Sequence, residues 1–178
     1  MQSDHLEKIC ILIEDLELKG FSPILVGGMA LVILGSQRVT KDFDFLISLQ
    51  ESTIKTVVEV FYKNGFELIS KLNENGEVLR TIDHEKVAAI RLKLDSPSSA
   101  YFFNPQTRLK VDLLFDFPFS AKEVAARAMP IKIKSHVIQV ACREDLIRLK
   151  EIAYADRKSV LDAQDLEFLR RSTNQRKI

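Results

Sequence analysis

The chain has 178 residues, with 26 Lys plus Arg against 25 Asp plus Glu, a formal net charge of +1 and 46% hydrophobic residues. That length suits one domain or one with a small appendage, and a chain of this size buries roughly 70% of its unfolded surface, so no disulfide or structural metal is needed for folding. The composition excludes a disordered chain and a globally basic nucleic-acid binder, while leaving room for a local basic patch. No run of about 18 apolar residues is present to span a membrane, and the polar opening residues lack a signal-type apolar core. Cys10 and Cys142 sit in apolar surroundings and are expected as buried free thiols in a reducing cytoplasm. With three dispersed histidines, a Cys/His zinc site is not expected.

Residues 4–19 carry Leu6, Ile9, Ile13 and Leu16 at helical spacing, with Ser3 or Asp4 as cap and Gly20 as stop. The run 24–26 predicts a buried strand that ends at Gly27-Gly28, followed by a short helix over 29–34. Residues 42–48 predict a strand, 51–64 a helix, 66–70 a strand, and 73–76 a turn into a segment over 77–82. Alternation over 88–94 predicts a strand, whereas 96–107, rich in Pro and Ser, reads as a loop. A strand over 109–115 and a helix over 120–128 follow. Segments 131–134 and 137–141 pair as a hairpin, and helices run over 143–155 and 159–170 before a basic, frayed tail. Helices and strands mix without a regular βαβ rhythm, so the expected class is α+β with a mixed sheet. Residues 1–141 would form the core and 142–178 a C-terminal helical segment packed on it.

The chemistry concentrates where a buried strand stops at Gly27-Gly28 and a helix begins. Glycines admit a ligand close to the backbone, and the first amides of a helix lack intrahelical partners and form an anion site. Asp42-Phe43-Asp44 follows. On a strand both carboxylates point to one face and both phenylalanines to the other. Two such carboxylates repel, and a divalent cation resolves the conflict; Mg²⁺ prefers a few carboxylates plus substrate phosphates. A third acid is expected on a neighbouring strand. Asp112, inside the apolar run 109–115, is the first candidate, and Asp116, next to the strand-ending Pro118, is the second. Arg38 and Lys41 are either phosphate-binding cations or solvated loop residues. Lys150 either reaches the cleft as a point charge on a triphosphate or is an exposed helix lysine. Arg157, Lys158, Asp162 and Asp165 read as a solvated face or a helix cap. His5 and His136 read as exposed and inert, and His84 as structural or exposed. Tyr101-Phe102-Phe103 reads as a plug at the edge of the core, or as a stacking surface for a nucleobase.

Gly-Gly, then Arg38-Val39-Thr40-Lys41-Asp42-Phe43-Asp44, then an acid in a later apolar strand, resembles the nucleotidyltransferase superfamily of the DNA polymerase β type. With the run Asp145-Leu146-Ile147-Arg148-Leu149-Lys150 and the later Asp162 and Asp165, it is similar to the minimal, toxin-like branch of the abortive-infection type. The resemblance implies a mixed-sheet nucleotidyltransferase core flanked by helices. It implies that Gly27 and Gly28 hold a triphosphate through backbone amides. Asp42 and Asp44 would bind two Mg²⁺ ions, and Asp112 would complete the metal site and help deprotonate the attacking hydroxyl. Gly28 stands where many members carry Ser. The implied activity is Mg²⁺-dependent transfer of a nucleoside monophosphate from a nucleoside triphosphate to a hydroxyl of RNA, protein or a small molecule, in a cytoplasmic protein with a cognate antitoxin. The rival reading is a catalytically silent binding module of a toxin–antitoxin or regulatory pair.

Overall fold

The computed structural model describes residues 2–174, with side chains over 5–171. The side chains at Ser3 and Asp4, and with them the expected cap, lie outside the described residues, as does the end of the tail. The elements in chain order are α1 (Gln2–Leu18), β1 (Ile24–Val26), α2 (Gly27–Ile33), β2 (Asp42–Ile47), a 3-10 turn (Glu51–Thr53), α3 (Ile54–Lys63), β3 (Glu67–Leu72) and β4 (Val78–Ile82). There follow α4 (Glu85–Asp95), β5 (Ser99–Phe103), β6 (Lys110–Phe115), α5 (Ala121–Ala125), β7 (Met129–Ile133), β8 (His136–Val140), α6 (Arg143–Arg157) and α7 (Val160–Asn174).

The strands form a single sheet in the order β4-β3-β5-β6-β2-β1-β8-β7. β2 runs parallel to β6 and β1 parallel to β8, whereas the other neighbours are antiparallel. This is an α+β fold with a mixed sheet, as the unordered alternation of elements predicts. None of the described helices is long and apolar enough to cross a membrane.

Period-two alternation divides the central strands between two faces. Phe43 and Phe45 of β2, Val111 and Leu113 of β6, and Ala100 and Phe102 of β5 are buried. α3 covers this apolar side: Phe61 stacks on Phe102 with ring centroids 4.0 Å apart and meets Phe66 edge-on at 5.8 Å. Such pairs add about 0.5–1.5 kcal/mol to their area burial. The alternate positions of the same strands, Asp42, Asp44, Lys110, Asp112 and Tyr101, share the opposite face. α6 and α7 pack on each other and both contact α2.

Two stretches differ from the sequence reading. Residues 88–94 belong to helix α4, not to a strand. Ala, Leu, Lys and Arg there are strong helix formers that outnumber the one β-branched residue, Ile90, and burial of Ala88 and Leu92 follows the i, i+4 spacing of a helix. The stretch read as a loop over 96–107 contains β5, which bonds to both β3 and β6. The aromatic run 101–103 has the strand propensity that the flanking Pro and Ser masked. His136, expected to be exposed, is half-buried, and its Nδ1 lies 2.5 Å from a Glu14 carboxylate oxygen. Cys10 and Cys142 are buried free thiols, as expected.

Candidate active site

Backbone register assembles the acids. Asp44 of β2 is paired with Asp112 of β6 on one side and Val26 of β1 on the other, and Asp112 is paired in turn with Tyr101 of β5. One row therefore crosses the sheet as Val26, Asp44, Asp112 and Tyr101. The adjacent row brings Asp42 opposite Lys110. Asp42 is the outermost acid, its side chain half exposed, whereas that of Asp112 is only 14% exposed. Asp116 stands apart. It lies beyond the end of β6 in the left-handed region, with φ +48°. One carboxylate oxygen accepts from the Ser48 hydroxyl at 2.8 Å and the other from the Ala121 amide at 2.8 Å, so Asp116 is tied to the start of α5. Between the two candidates for a third acid, Asp112 is the one beside Asp44.

The glycine pair makes room for this arrangement. Gly27 has φ +65°, and a Cβ there would collide with the Asp44 carboxyl, its Cγ lying 2.6 Å away. A Cβ on Gly28 would lie 2.8 Å from the centre of the Arg38 guanidinium. The Gly28 amide donates to Asp44. The two glycines thus bring Asp44 and Arg38 against the start of α2, and the Gly28 amide is bonded to a carboxylate.

Burial sets the electrostatics. Asp44 has its pKa raised, first by burial and then by repulsion from Asp42; the charges of Lys150 and Lys110 and the Gly28 amide oppose the rise. Burial also pushes Asp112 up to about 7, against the pull of Lys110, with Asp44 and Asp42 adding to the rise. Asp112 Oδ1 is buried without a hydrogen-bond partner. Lys110, which sequence reasoning missed, is the residue nearest to resolving the conflict. Its Nζ lies 3.6 Å from Asp42 Oδ2 and 3.4 Å from Asp112 Oδ2, and 5.6 Å from the Tyr101 ring centroid. Burial works to lower the Lys110 pKa, but Asp112 and Asp42 outweigh it and the net shift is upward. The signal was in the sequence: Lys110 sits two residues before Asp112 and so shares its face of the strand.

The cations from beyond the sheet are held by α7. Lys150 is buried, and its Nζ lies 3.1 Å from Asp162 and 2.7 Å from Asp165. The Arg38 guanidinium pairs with the same Asp165 carboxylate, and Arg157 reaches Asp162 at 3.1 Å. Asp162 and Asp165 are buried at 3% and 4% exposure, so the expectation of a solvated face fails for them. Buried charge demands pairing, and α6 and α7 are held side by side through these pairs. Lys150 is likewise not an exposed helix lysine. Lys41 is exposed on the loop before β2. Asp145 is a structural anchor: Arg127 grips it at 2.8 and 3.1 Å, and the Cys142 thiol donates to it at 3.2 Å. Of the aromatic run, Phe102 and Phe103 are buried and fit the plug, while Tyr101 stands on the acidic face at 37% exposure.

Whether the acids fit a cation is decided by their donor chemistry. Asp44 and Asp112 are hard oxygen donors held next to each other, one oxygen has no partner, and both resist ionisation, first through burial and then through repulsion from neighbouring carboxylates. That suits Mg²⁺, which takes one or two carboxylates and fills its remaining positions with water and phosphate. Among the described residues no group of three or more His, Cys, Asp or Glu is gathered closely enough to hold a metal by itself; the Lys110 ammonium stands between Asp42 and Asp112 instead.

Comparison with known proteins bears on the fold and on the family. An antigenic nucleotidyltransferase-like protein from Paracoccidioides brasiliensis shares 15% identity and a TM-score of 0.59, covering 93% of this chain and 75% of that one. The lincosamide antibiotic adenylyltransferase LnuA, solved with lincomycin bound, shares 11% identity and a TM-score of 0.56, covering 92% and 95%. The antibiotic-resistance factor ANT(2'')-Ia shares 13% identity and a TM-score of 0.53, covering 98% and 92%. At such identities these likenesses show the fold. A search of curated proteins finds no significant match. The family model described as the nucleotidyl transferase AbiEii toxin of the type IV toxin–antitoxin system matches residues 14–177, nearly the whole chain, and on that match the chain belongs to the AbiEii nucleotidyltransferase toxin family.

Proposed function

We propose that the protein transfers a nucleoside monophosphate from a nucleoside triphosphate to a hydroxyl acceptor with the help of Mg²⁺, releasing pyrophosphate. The observation that carries the reading is the Asp44–Asp112 pair, in register on adjacent strands, buried and short of positive charge. Asp42, Asp44 and Asp112 would hold the metal, two ions in the full complement. Bound there, it would neutralise phosphate charge and polarise the α-phosphorus.

The chain's own groups supply the rest. Asp112, in register beside Asp44 on the neighbouring strand, is the carboxylate placed to act as base. It takes the proton of the acceptor hydroxyl, whose oxygen bonds to the α-phosphorus as the bond to the bridging oxygen breaks and pyrophosphate leaves. Arg38, whose guanidinium lies against Gly28, and Lys150, whose charge acts on Asp44, would provide the positive charge for the phosphates. Lys41, exposed on the loop before β2, would add a further cation for the phosphates. The acceptor is RNA, protein or a small molecule, and family membership supports a cognate antitoxin as partner and a cytoplasmic setting.

The test is incubation with each of labelled ATP, CTP, GTP and UTP in cell extract with Mg²⁺. Label in RNA, protein or a small molecule names the acceptor, and its loss in Asp44→Asn ties it to this site. No label from any triphosphate would sink the reading. One observation favours the rival reading of a silent module: Lys110 already sits between Asp42 and Asp112.

A further inference from the structure

Three carboxylates face one lysine on the acidic side of the sheet. The side chain of Lys110 is 18% exposed, so its ammonium has given up much of its water and takes its compensation from Asp42 and Asp112. It is directly opposite Asp42 in the β2–β6 ladder, which fixes its root, while its four-carbon stem leaves the charge free to travel. One charge does not satisfy three acids: Asp112 keeps an unpartnered buried oxygen. Lys150 contributes at Asp44, yet its own hydrogen bonds go to Asp162 and Asp165. A divalent ion arriving alone would have to displace the Lys110 ammonium or share two carboxylates with it. An ion arriving with a triphosphate brings the anion that gives the displaced ammonium a new partner.

We propose that Lys110 is a tethered counter-ion that occupies the cation's place between Asp42 and Asp112 and makes divalent-metal loading depend on the simultaneous arrival of a triphosphate. This rests on the metal-dependent reading above. Lys110 is a positioning residue in this role. It holds the acids together before substrate enters, then hands them over.

The experiment is Mn²⁺ titration of the full chain by equilibrium dialysis, with and without inorganic tripolyphosphate at equal concentration on both sides, the excess Mn²⁺ on the protein side being counted by electron paramagnetic resonance after acid release. Wild type is expected to bind Mn²⁺ weakly alone and about tenfold or more tightly with tripolyphosphate. Lys110→Gln is expected to bind Mn²⁺ alone about tenfold tighter than wild type and to lose most of the tripolyphosphate enhancement. Lys110→Arg, which keeps the charge, is expected to follow wild type. Lys110→Met serves if the Gln variant does not fold, judged by circular dichroism. If wild type binds Mn²⁺ and the neutral variants bind it no tighter, the counter-ion role is wrong while the metal site stands. If no form binds Mn²⁺ even with tripolyphosphate, the metal-dependent function itself fails, and the counter-ion role with it.

Discussion

Gly27 and Asp44 are in direct contact: the backbone at Gly27 turns through φ +65°, and the space a Cβ would take is filled by the Asp44 carboxyl. The end of β1 therefore determines where the acid on β2 can stand.

Gly27→Ala is expected to suffer twice. The left-handed backbone costs about 1–2 kcal/mol for an L side chain, and the methyl must push Asp44 aside. Gly20 is a built-in control, since its φ is +86° with nothing within 4 Å of an added Cβ. Thermal melts should show Gly20→Ala losing only the backbone part, with nucleotidyl transfer kept. Gly27→Ala should lose more stability and nearly all transfer. Equal effects at the two positions would refute a positioning role for the glycine.

Asp112 gives a pH dependence. Its carboxyl moves from an ordinary 3.8 to about 7 in the folded protein, mainly through burial. A folded value above the unfolded one means that the native state holds the proton more tightly. The stability contribution is full below about pH 4, declines as pH rises towards about 7, and is gone above that. Without divalent metal, Asp112→Asn is expected to be more stable than wild type at pH 8, by on the order of a few kcal/mol, with the gap closing near pH 4. Denaturant melts across that window decide it. The same variant should have no transferase activity.

Asp116→Ala separates the two candidates for the third acid. Losing the contacts to Ser48 and to the Ala121 amide should cost about 1 kcal/mol, the usual size of a lost helix cap. Transfer should persist at pH 8, where Asp112→Asn has none. An inactive, folded Asp116→Ala would reverse the assignment.

Arg38, Lys150, Asp162 and Asp165 should behave as one unit. Lys150→Met leaves buried carboxylates short of a cation and should cost about 3 kcal/mol. In a cycle of Arg38→Met and Asp165→Leu, the double variant should be less damaged than the sum of the singles, by about 1–3 kcal/mol. Additive losses would mean that the Arg38–Asp165 pair is not coupled.

The parts of the site that lie close together in sequence were legible from it. Strand period placed Asp42 and Asp44 on one face, and an acid within an apolar run marked Asp112. Long-range pairing was not legible: nothing near Arg38 announces Asp165, and the pattern around Asp162 suits an exposed helix until Lys150 is known to be buried opposite. Lys110 escaped for a different reason. Sequence reasoning sought acids for a cation, and a lysine among them reads as an ordinary strand residue. At the level of elements, β5 was hidden by its Pro- and Ser-rich flanks, and α4 by a chance alternation of apolar residues on a helix largely open to solvent, with Val87, Ile90 and Leu94 exposed.

The Arg38–Asp165 contact joins residues 127 positions apart. During synthesis, β1, α2 and β2 leave the ribosome long before α7 exists, so Arg38 and later Lys150 emerge without the carboxylates that hold them in the folded protein. The last of the described helices to be made supplies them. Order among the proposed site's cations is therefore tied to the synthesis of α7, and a chain interrupted before α7 carries the acids of that site without the carboxylates that hold Arg38 and Lys150.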